Sequence, residues 1–204
     1  MEDVVEDLVM ARKYYKDYLV RRVFLADGDA LICKTEDLLY IMGEVKRLFP
    51  ENERITMYGA PKDVLLKSQD ELVKLREAGL EMVYVGAESG DNDVLEYVKK
   101  GATHEEIAEA GRKLKEAGIK VSVTLISGLG GKKYLESHAI NSAKLISEMK
   151  PDYVGFLTLL LESGAPMYEE LRDGKFNYLT PPEVFEELKI QTLLSGEYDS
   201  CNAI

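Results

Sequence analysis

The sequence predicts an α/β fold built on a parallel sheet. Apolar, β-branched segments alternate with helical patterns five times along the 204 residues. Helices of this length between strands call for parallel pairing through right-handed crossovers. Each strand ends in Gly, Asp, Ser or Thr, and in a doubly wound sheet or a barrel such ends share one rim. Polar groups far apart in the sequence are therefore expected to converge there.

The composition is that of a chain that can bury one sizeable core. It is 46% hydrophobic and 31% charged, unlike a disordered or fibrous sequence. No apolar run is long enough to span a membrane, and residues 1–12 lack the basic, apolar and small-residue order of a signal peptide. We therefore expect a cytoplasmic protein. A net charge of -11 argues against general nucleic-acid binding, which needs a basic field.

Cysteine and histidine are too scarce and too scattered to predict a metal site. Cys33 and Cys201 form no metal-ligand spacing with each other, and we expect both to be free thiols. His104 and His138 are expected at helix starts or on exposed faces, without cysteines or paired acids at ligand spacing.

The strands and helices follow from apolar periodicity and from capping residues. Ser68 with Glu71, and Thr103 with Glu106, form capping boxes that predict two helix starts. Strands are expected at 22–29, 54–59, 82–90, 119–126 and 153–160, and helices at 2–19, 35–48, 68–78, 91–100, 103–117, 135–149, 167–172 and 181–194.

The third predicted strand, residues 82–90, carries the most informative polar groups. It is an apolar run typical of a buried parallel strand, and it delivers Glu88 and Ser89 just before Gly90. A carboxylate at that position needs hydrogen-bond donors. Glu88 can therefore belong to a binding site, or it can cap the helix that follows.

Two glycine-containing loops at strand ends allow either a binding role or an ordinary turn. Asp27-Gly28-Asp29 follows the first strand, where glycine would let backbone carbonyls approach an ammonium group. The loop 128–131, Gly-Leu-Gly-Gly, could hold a phosphate or another anion at a helix start, but it lacks the Lys-Ser/Thr of a P-loop.

A longer pattern resembles the radical S-adenosylmethionine (SAM) superfamily, in its elongator-type, methylthiotransferase and coproporphyrinogen-dehydrogenase-like branch. The pattern comprises Val85-Gly-Ala-Glu-Ser-Gly90, Val94-Leu95, Lys100-Gly-Ala-Thr-His-Glu-Glu106, Leu114-Lys-Glu-Ala-Gly-Ile119 and Leu125-Ile-Ser-Gly-Leu-Gly130. Asp27-Gly28-Asp29 is similar to the superfamily's Gly-Gly-Glu-type turn. The combined pattern is far more specific than any of its pieces.

The resemblance implies a partial TIM-type (β/α)6 barrel in which this chain supplies strands two to six. The core would be residues 1–162, followed by a truncated helical extension at 163–204. In the family, the first strand leads into a Cys-x-x-x-Cys-x-x-Cys loop that binds a [4Fe-4S] cluster. That motif does not occur in this sequence, so the resemblance implies cluster ligands outside it and an inactive chain on its own. An open barrel edge would favour self-association.

The resemblance also implies an activity and a set of cofactor contacts. With the cluster, such a core binds SAM and generates a 5′-deoxyadenosyl radical that acts on a substrate. The alternatives are a different β/α-barrel enzyme that binds an anion at residues 128–131, or a non-catalytic binding domain. The residues carried over as SAM contacts are Asp27, Gly28 and Asp29 for the methionyl ammonium, Tyr58 beside the cofactor or substrate, Glu88 for the ribose with its neighbour Ser89, Lys100 for the methionyl carboxylate, Thr124 toward the ribose or substrate, and Ile126, Gly128, Leu157 and Leu159 for the adenine.

Overall fold

The computed structural model describes residues 2–26 and 28–195. Within them, five strands form one sheet in the order β1-β2-β3-β4-β5. The register places Val23 beside Ile55 and Met57 beside Val83, in parallel pairs. The predicted α/β class with a parallel sheet is confirmed. The strands are β1 (Arg22–Leu25), β2 (Arg54–Tyr58), β3 (Leu80–Glu88), β4 (Lys120–Ser127) and β5 (Tyr153–Thr158).

Helices occupy the connections between the strands, as the crossover rule requires. None of the described helices combines the length and apolar character that a membrane span needs. The helices are α1 (Glu2–Tyr14), α2 (Thr35–Leu48), α3 (Pro61–Leu66), α4 (Gln69–Ala78), α5 (Asn92–Tyr97), α6 (His104–Glu116), α7 (Gly131–Met149), α8 (Pro166–Arg172) and α9 (Pro181–Leu194), with a 3₁₀ helix at Ala30–Ile32.

Both predicted capping boxes are confirmed. The Ser68 hydroxyl accepts from the Glu71 amide at 3.2 Å, and the Glu71 carboxylate accepts from the Ser68 amide at 2.7 Å. Thr103 and Glu106 make the equivalent pair at 3.3 and 2.9 Å. Each box satisfies amides that have no partner within the helix.

Several predicted boundaries were wrong. Helix α1 ends at Tyr14 instead of residue 19, where Arg12 donates to the Tyr15 carbonyl at 2.8 Å and satisfies an oxygen near the helix end. Helix α7 begins at Gly131, four residues before the prediction. The first strand ends at Leu25 rather than at residue 29. Helix α3 was not predicted, although Pro61 suits a first helical position.

The chain divides into two compact units. Unit 1 comprises Met1–Val85 and Ala110–Ser122, and unit 2 comprises Gly86–Glu109 and Val123–Ile204. The sequence predicted no domain boundary before residue 162. The predicted boundary between the core at 1–162 and the extension at 163–204 remains a prediction. Strand β1 lies at one edge of the described sheet, so self-association through that edge also stays a prediction.

In unit 1, the Thr35 hydroxyl donates to the Glu71 carboxylate at 2.6 Å, which joins the starts of α2 and α4.

Each unit has its own buried apolar core. Fully buried members include Leu38, Met42, Ile55, Met57, Leu72 and Leu75 in unit 1, and Val94, Ile107, Leu125, Ala139, Ala143 and Leu145 in unit 2.

Gly90 and Gly43 should respond in opposite ways to alanine. A Cβ on Gly90 would lie 2.6 Å from Ser142 Cα, so the backbone of α7 would have to move. A Cβ on Gly43, inside α2, meets nothing within 4 Å. We expect Gly90→Ala to destabilise the chain by about 1–3 kcal/mol. Gly43→Ala should stabilise it by about 0.5–1 kcal/mol. Urea unfolding measures both, and a stable Gly90→Ala chain would contradict this packing.

Candidate functional site

The turn after β3 is attached to α7 by buried hydrogen bonds. The Ser89 hydroxyl pairs with His138 Nδ1 at 2.8 Å and accepts from the Asp91 amide at 2.9 Å. The Gly90 amide donates to the Ser142 hydroxyl at 3.0 Å. Ser89, His138 and Ser142 are fully buried. This network fixes the backbone immediately after Glu88, the last residue of β3.

Asp91 caps α5 and continues the same network. Its carboxylate accepts from the Asn141 side chain at 2.7 Å and from the Asp93 and Val94 amides at 3.0 and 3.2 Å. Burial alone would raise the pKa of Asp91, but the Asn141 and amide hydrogen bonds outweigh burial and lower that pKa. Asp91 therefore remains an anionic cap.

Glu88 and Lys100, two predicted SAM contacts, form an ion pair. Lys100 Nζ lies 3.2 Å from Glu88 Oε1, and their side chains are 21% and 26% exposed. Glu88 has a φ of 66°, a left-handed conformation that is rare for a residue with a side chain. A Cβ on Gly86 would lie 2.5 Å from Glu88 Oε1. The carboxylate thus folds back over Gly86, which must lack a side chain.

The predicted adenine contacts lie at the adjoining ends of β4 and β5. The Leu159 amide donates to the Ser127 carbonyl at 3.0 Å, and the Leu159 Cβ lies 3.9 Å from where a Cβ on Gly128 would be. Gly128 and Leu159 are thus brought together. Leu157 is 59% exposed, and Ile126 is half-buried.

Thr124 lies next to β5, on the same side of β4 as Ile126. A Cβ on Gly155 would lie 3.9 Å from the Thr124 hydroxyl oxygen, so glycine leaves room beside that hydroxyl. Thr124 and Ile126 are both half-buried, whereas the alternating residues Val123 and Leu125 are fully buried. The alternation presents the predicted contacts on one face of the strand.

The loop from Gly128 to Gly131 is already closed by contacts within unit 2. The amides of Gly128, Gly131 and Lys132 donate to Glu187, to the Gly128 carbonyl and to the Asn177 carbonyl, at 2.9, 2.9 and 3.2 Å. A Cβ on Gly131 would lie 2.7 Å from the Phe176 ring. These amides would be the donors to an anion, so their pairing counts against the predicted anion cradle.

Helix α9 carries two further buried polar residues, of which Glu187 contacts this loop. Glu187 and Gln191 are fully buried, and Glu187 Oε1 accepts from the Gly128 amide at 2.9 Å. His138 Nε2 lies 3.7 Å from the same oxygen. Burial raises the pKa of Glu187 to about 7, against the Gly128 hydrogen bond, and burial lowers the pKa of His138 to about 4. Both groups are thereby favoured in their neutral forms.

The predicted ammonium site in unit 1 is described only in part. Asp27 lies outside the described residues. Gly28 has a φ of 49° and nothing within 4 Å of a Cβ position, so its backbone is open. Asp29 accepts from the Leu31 and Ala60 amides at 3.2 and 2.9 Å. A side-chain hydrogen bond with Asp29, together with burial, raises the pKa of Asp63 to about 6.

Tyr58 belongs to an aromatic group on one face of β1, β2 and β3. Its ring centroid lies 4.9 Å from that of Phe24 and 5.9 Å from that of Tyr84. Phe24 and Tyr58 remain 42% and 49% exposed. The sequence did not predict this grouping, although the register places Tyr58 beside Tyr84.

The structure corrects the interpretation of one polar residue, His138, and adds detail on Ser89 and His104. His138 was expected on an exposed face but is fully buried, because His138, Ser142, Leu145 and Met149 form one buried stripe of α7. The same spacing in the sequence could have revealed this. Ser89 is fully buried and its hydroxyl pairs with His138, so its side chain supports the turn beside Glu88, and its predicted place in the cofactor site stays a prediction. His104 was also expected on an exposed face or at a helix start, and it starts α6 with a largely buried side chain bonded to the Gly90 carbonyl at 2.7 Å.

Metal ligands do not come together in the part of the chain that the structure describes. No group of three or more His, Cys, Asp or Glu side chains there could hold a metal ion. Cys33 is an exposed free thiol, as predicted, and Cys201 lies outside the described residues. The residues described do not fit a [4Fe-4S] cluster, which requires thiolate ligands.

The parallel sheet, together with the sequence motif at the ends of its strands, matches a known protein family. Residues 2–146 match the model of the Radical SAM superfamily. The chain therefore belongs to the radical SAM superfamily.

The chain is similar in sequence to known proteins that carry different names. The chain is 27% identical to the tRNA uridine(34) acetyltransferase of Methanocaldococcus jannaschii over 119 residues, which cover 58% of this chain and 22% of that protein. It is 22% identical to the heme chaperone HemW of Bacillus subtilis over 172 residues, covering 83% and 44%. The chain thus spans less than half the length of these relatives.

Solved structures show the same fold. Coproporphyrinogen III oxidase (HemN) from Escherichia coli aligns with a TM-score of 0.73 at 18% identity, covering 96% of this chain and 45% of that one. The archaeal Methanocaldococcus infernus Elp3 aligns with a TM-score of 0.65 at 18% identity, covering 92% and 48%. Together with the family match, they confirm the predicted branch and the TIM-barrel-like fold.

The buried Glu187 carboxyl should make stability depend on pH. Its pKa rises from 4.5 unfolded to about 7 folded, so the folded state holds the proton more tightly between these values. The free energy of unfolding should fall by roughly 2–3 kcal/mol from this group as pH rises through that range. Burial of His138 acts oppositely, with stability lost as pH falls from 6.5 to about 4.

Glu187→Gln isolates the contribution of the carboxyl, because glutamine cannot titrate and His138 is unchanged. Urea unfolding at intervals from pH 4.5 to 7 should show that the variant gains stability relative to wild type as pH rises. Glu186→Gln, at the exposed neighbouring position, should follow the wild type. Parallel profiles for wild type and Glu187→Gln would contradict the prediction.

Proposed function

We propose that this core binds SAM at the carboxyl ends of its strands and, with a [4Fe-4S] cluster, takes part in radical chemistry on a substrate. The observation that carries the proposal is the Glu88–Lys100 pair at the strained end of β3. The strain at Glu88 is supported by the buried network behind it, and backbone strain of this kind is common at functional sites.

Glu88 and Lys100 offer a hydrogen-bond acceptor for ribose hydroxyls and a positive charge for a carboxylate. Glu88 would accept from the ribose hydroxyls, and Lys100 would bind the methionyl carboxylate. Both side chains are more than one-fifth exposed, and in the absence of ligand each neutralises the other across 3.2 Å. Binding would therefore exchange one ion pair for two charge-assisted contacts, without leaving a buried charge unpaired.

The methionyl ammonium would be held by Asp27, Gly28 and Asp29. The open backbone of Gly28 supports this role, since carbonyl oxygens there are approachable. A hydrogen bond with Asp29 raises the pKa of Asp63, and a cation beside the two carboxyl groups would favour loss of the Asp63 proton. Tyr58 would lie beside the cofactor or the substrate.

The adenine would contact Ile126, Gly128, Leu157 and Leu159, and Thr124 would face the ribose or the substrate. Leu157 offers exposed apolar surface, and Gly128 allows close approach to its backbone. SAM, when bound and reduced by one electron, supplies a radical. The chain's own residues bind and orient it and exclude water.

Glu88→Gln should weaken SAM binding by about tenfold, since a hydrogen bond to a charged acceptor contributes roughly 1.5 kcal/mol or more. Lys100→Ala should weaken it similarly. Calorimetric titration of SAM into the full chain measures both effects. Glu136→Gln, on an exposed face of α7 in the same unit, is the control and should bind as wild type. Unchanged binding in both Glu88→Gln and Lys100→Ala would overturn the proposal.

This chain alone should form no [4Fe-4S] cluster, because it contains two cysteines and such a cluster takes its ligands from several thiolates. Anaerobic reconstitution with iron and sulfide, followed by absorbance spectroscopy, tests this. An absorbance band typical of the cluster that disappears on Cys33→Ala would prove the prediction wrong.

A further inference from the structure

The buried carboxylate of Glu187 is not explained by the packing of α9. Its side chain is fully buried, yet its oxygen Oε2 has no hydrogen-bond partner among the residues that the structure describes. Burying a carboxylate is costly, and a leucine of similar size would fill the same space with less desolvation. A residue kept at such a cost indicates a role beyond packing.

Helix α9 is attached to unit 2 by other contacts near its start. Thr180 and Glu183 form a capping box, with the Glu183 carboxylate 2.7 Å from the Thr180 amide. Glu183 also pairs with Lys132 of α7 at 2.9 Å. The helix therefore does not depend on Glu187 for its attachment.

Glu187 contacts Gly128, a residue predicted from the sequence to contact the adenine of SAM. Its Oε1 accepts from the Gly128 amide at 2.9 Å, while the Leu159 amide binds the Ser127 carbonyl at 3.0 Å. Gly128 has a φ of 82°, which a glycine adopts easily but does not maintain by itself. The peptide between Ser127 and Gly128 is thus held on one side by Leu159, which follows β5, and on the other by Glu187 of α9.

We propose that Glu187 is a positioning residue for SAM, which fixes the Gly128 backbone against Leu159 so that both meet the adenine. The inference rests on the proposed SAM binding. Glu187 does not touch the cofactor in this arrangement; it acts through Gly128. The C-terminal helix is accordingly part of the cofactor site.

Substitutions at Glu187 separate this role from a purely structural one. Glu187→Leu removes the buried carboxyl group together with the acceptor, so we expect a melting temperature equal to or above that of wild type and a SAM dissociation constant about tenfold higher. A residue with a purely structural role would not combine an equal or higher melting temperature with weaker SAM binding. Glu187→Gln keeps an acceptor for the Gly128 amide and should restore binding to within about threefold of wild type.

Two further measurements keep the test decisive. Glu187→Asp keeps the carboxyl group but is one methylene shorter, so it should bind SAM as weakly as Glu187→Leu. It replaces that variant if the leucine chain does not fold. Hydrogen exchange of the Gly128 amide should be faster in either variant than in wild type, without any ligand. Glu186→Gln, on the exposed side of α9, is the control for both measurements.

The outcomes distinguish the two proposals. Wild-type SAM binding with unchanged affinity in Glu187→Leu and Glu187→Asp would overturn the positioning role and leave the proposed function intact. Equal exchange of the Gly128 amide in all variants would do the same. A wild-type chain that binds no SAM would contradict the proposed function, and the positioning role would fall with it.

Discussion

The attachment of the β3 turn to α7 is the constraint on which the candidate site in unit 2 depends. Ser89 pairs with His138 and Gly90 with Ser142, so the backbone that follows Glu88 cannot move independently of the long helix. A residue at positive φ relaxes unless its neighbours are fixed. The network supplies that restraint, and the exposed face of Glu88 remains available to a ligand.

Unit 2 places an unusual amount of polarity in its interior. Ser127, His138, Glu187 and Gln191 are all fully or almost fully buried, and each has a polar atom without a hydrogen-bond partner among the described residues. Such groups reduce stability unless water or another partner satisfies them. Their position behind the ends of β3 and β4 indicates that this interior is adapted to hold the strand ends in place.

The fold was largely predictable, because alternation of strands and helices and two capping boxes are local signals. Glu88 and Gly128 could be singled out because each follows an apolar strand directly. Glu187 could not, since nothing near it in the sequence marks it as buried beside a loop 59 residues earlier. Asp63 was missed similarly, because its hydrogen-bond partner Asp29 lies more than thirty residues earlier in the sequence. Long-range pairing of this kind has no sequence period.

The division into two units has a consequence for the connectivity of the chain. Neither unit is a continuous stretch, since residues 86–109 of unit 2 are inserted between the two parts of unit 1. Three elements, β3, α6 and β4, have residues in both units. No single cut in the backbone can therefore separate either unit from all residues of the other. A cut after Val85 would keep unit 2 whole, but residues 110–122 of unit 1 would remain within it and β3 would be divided at the cut.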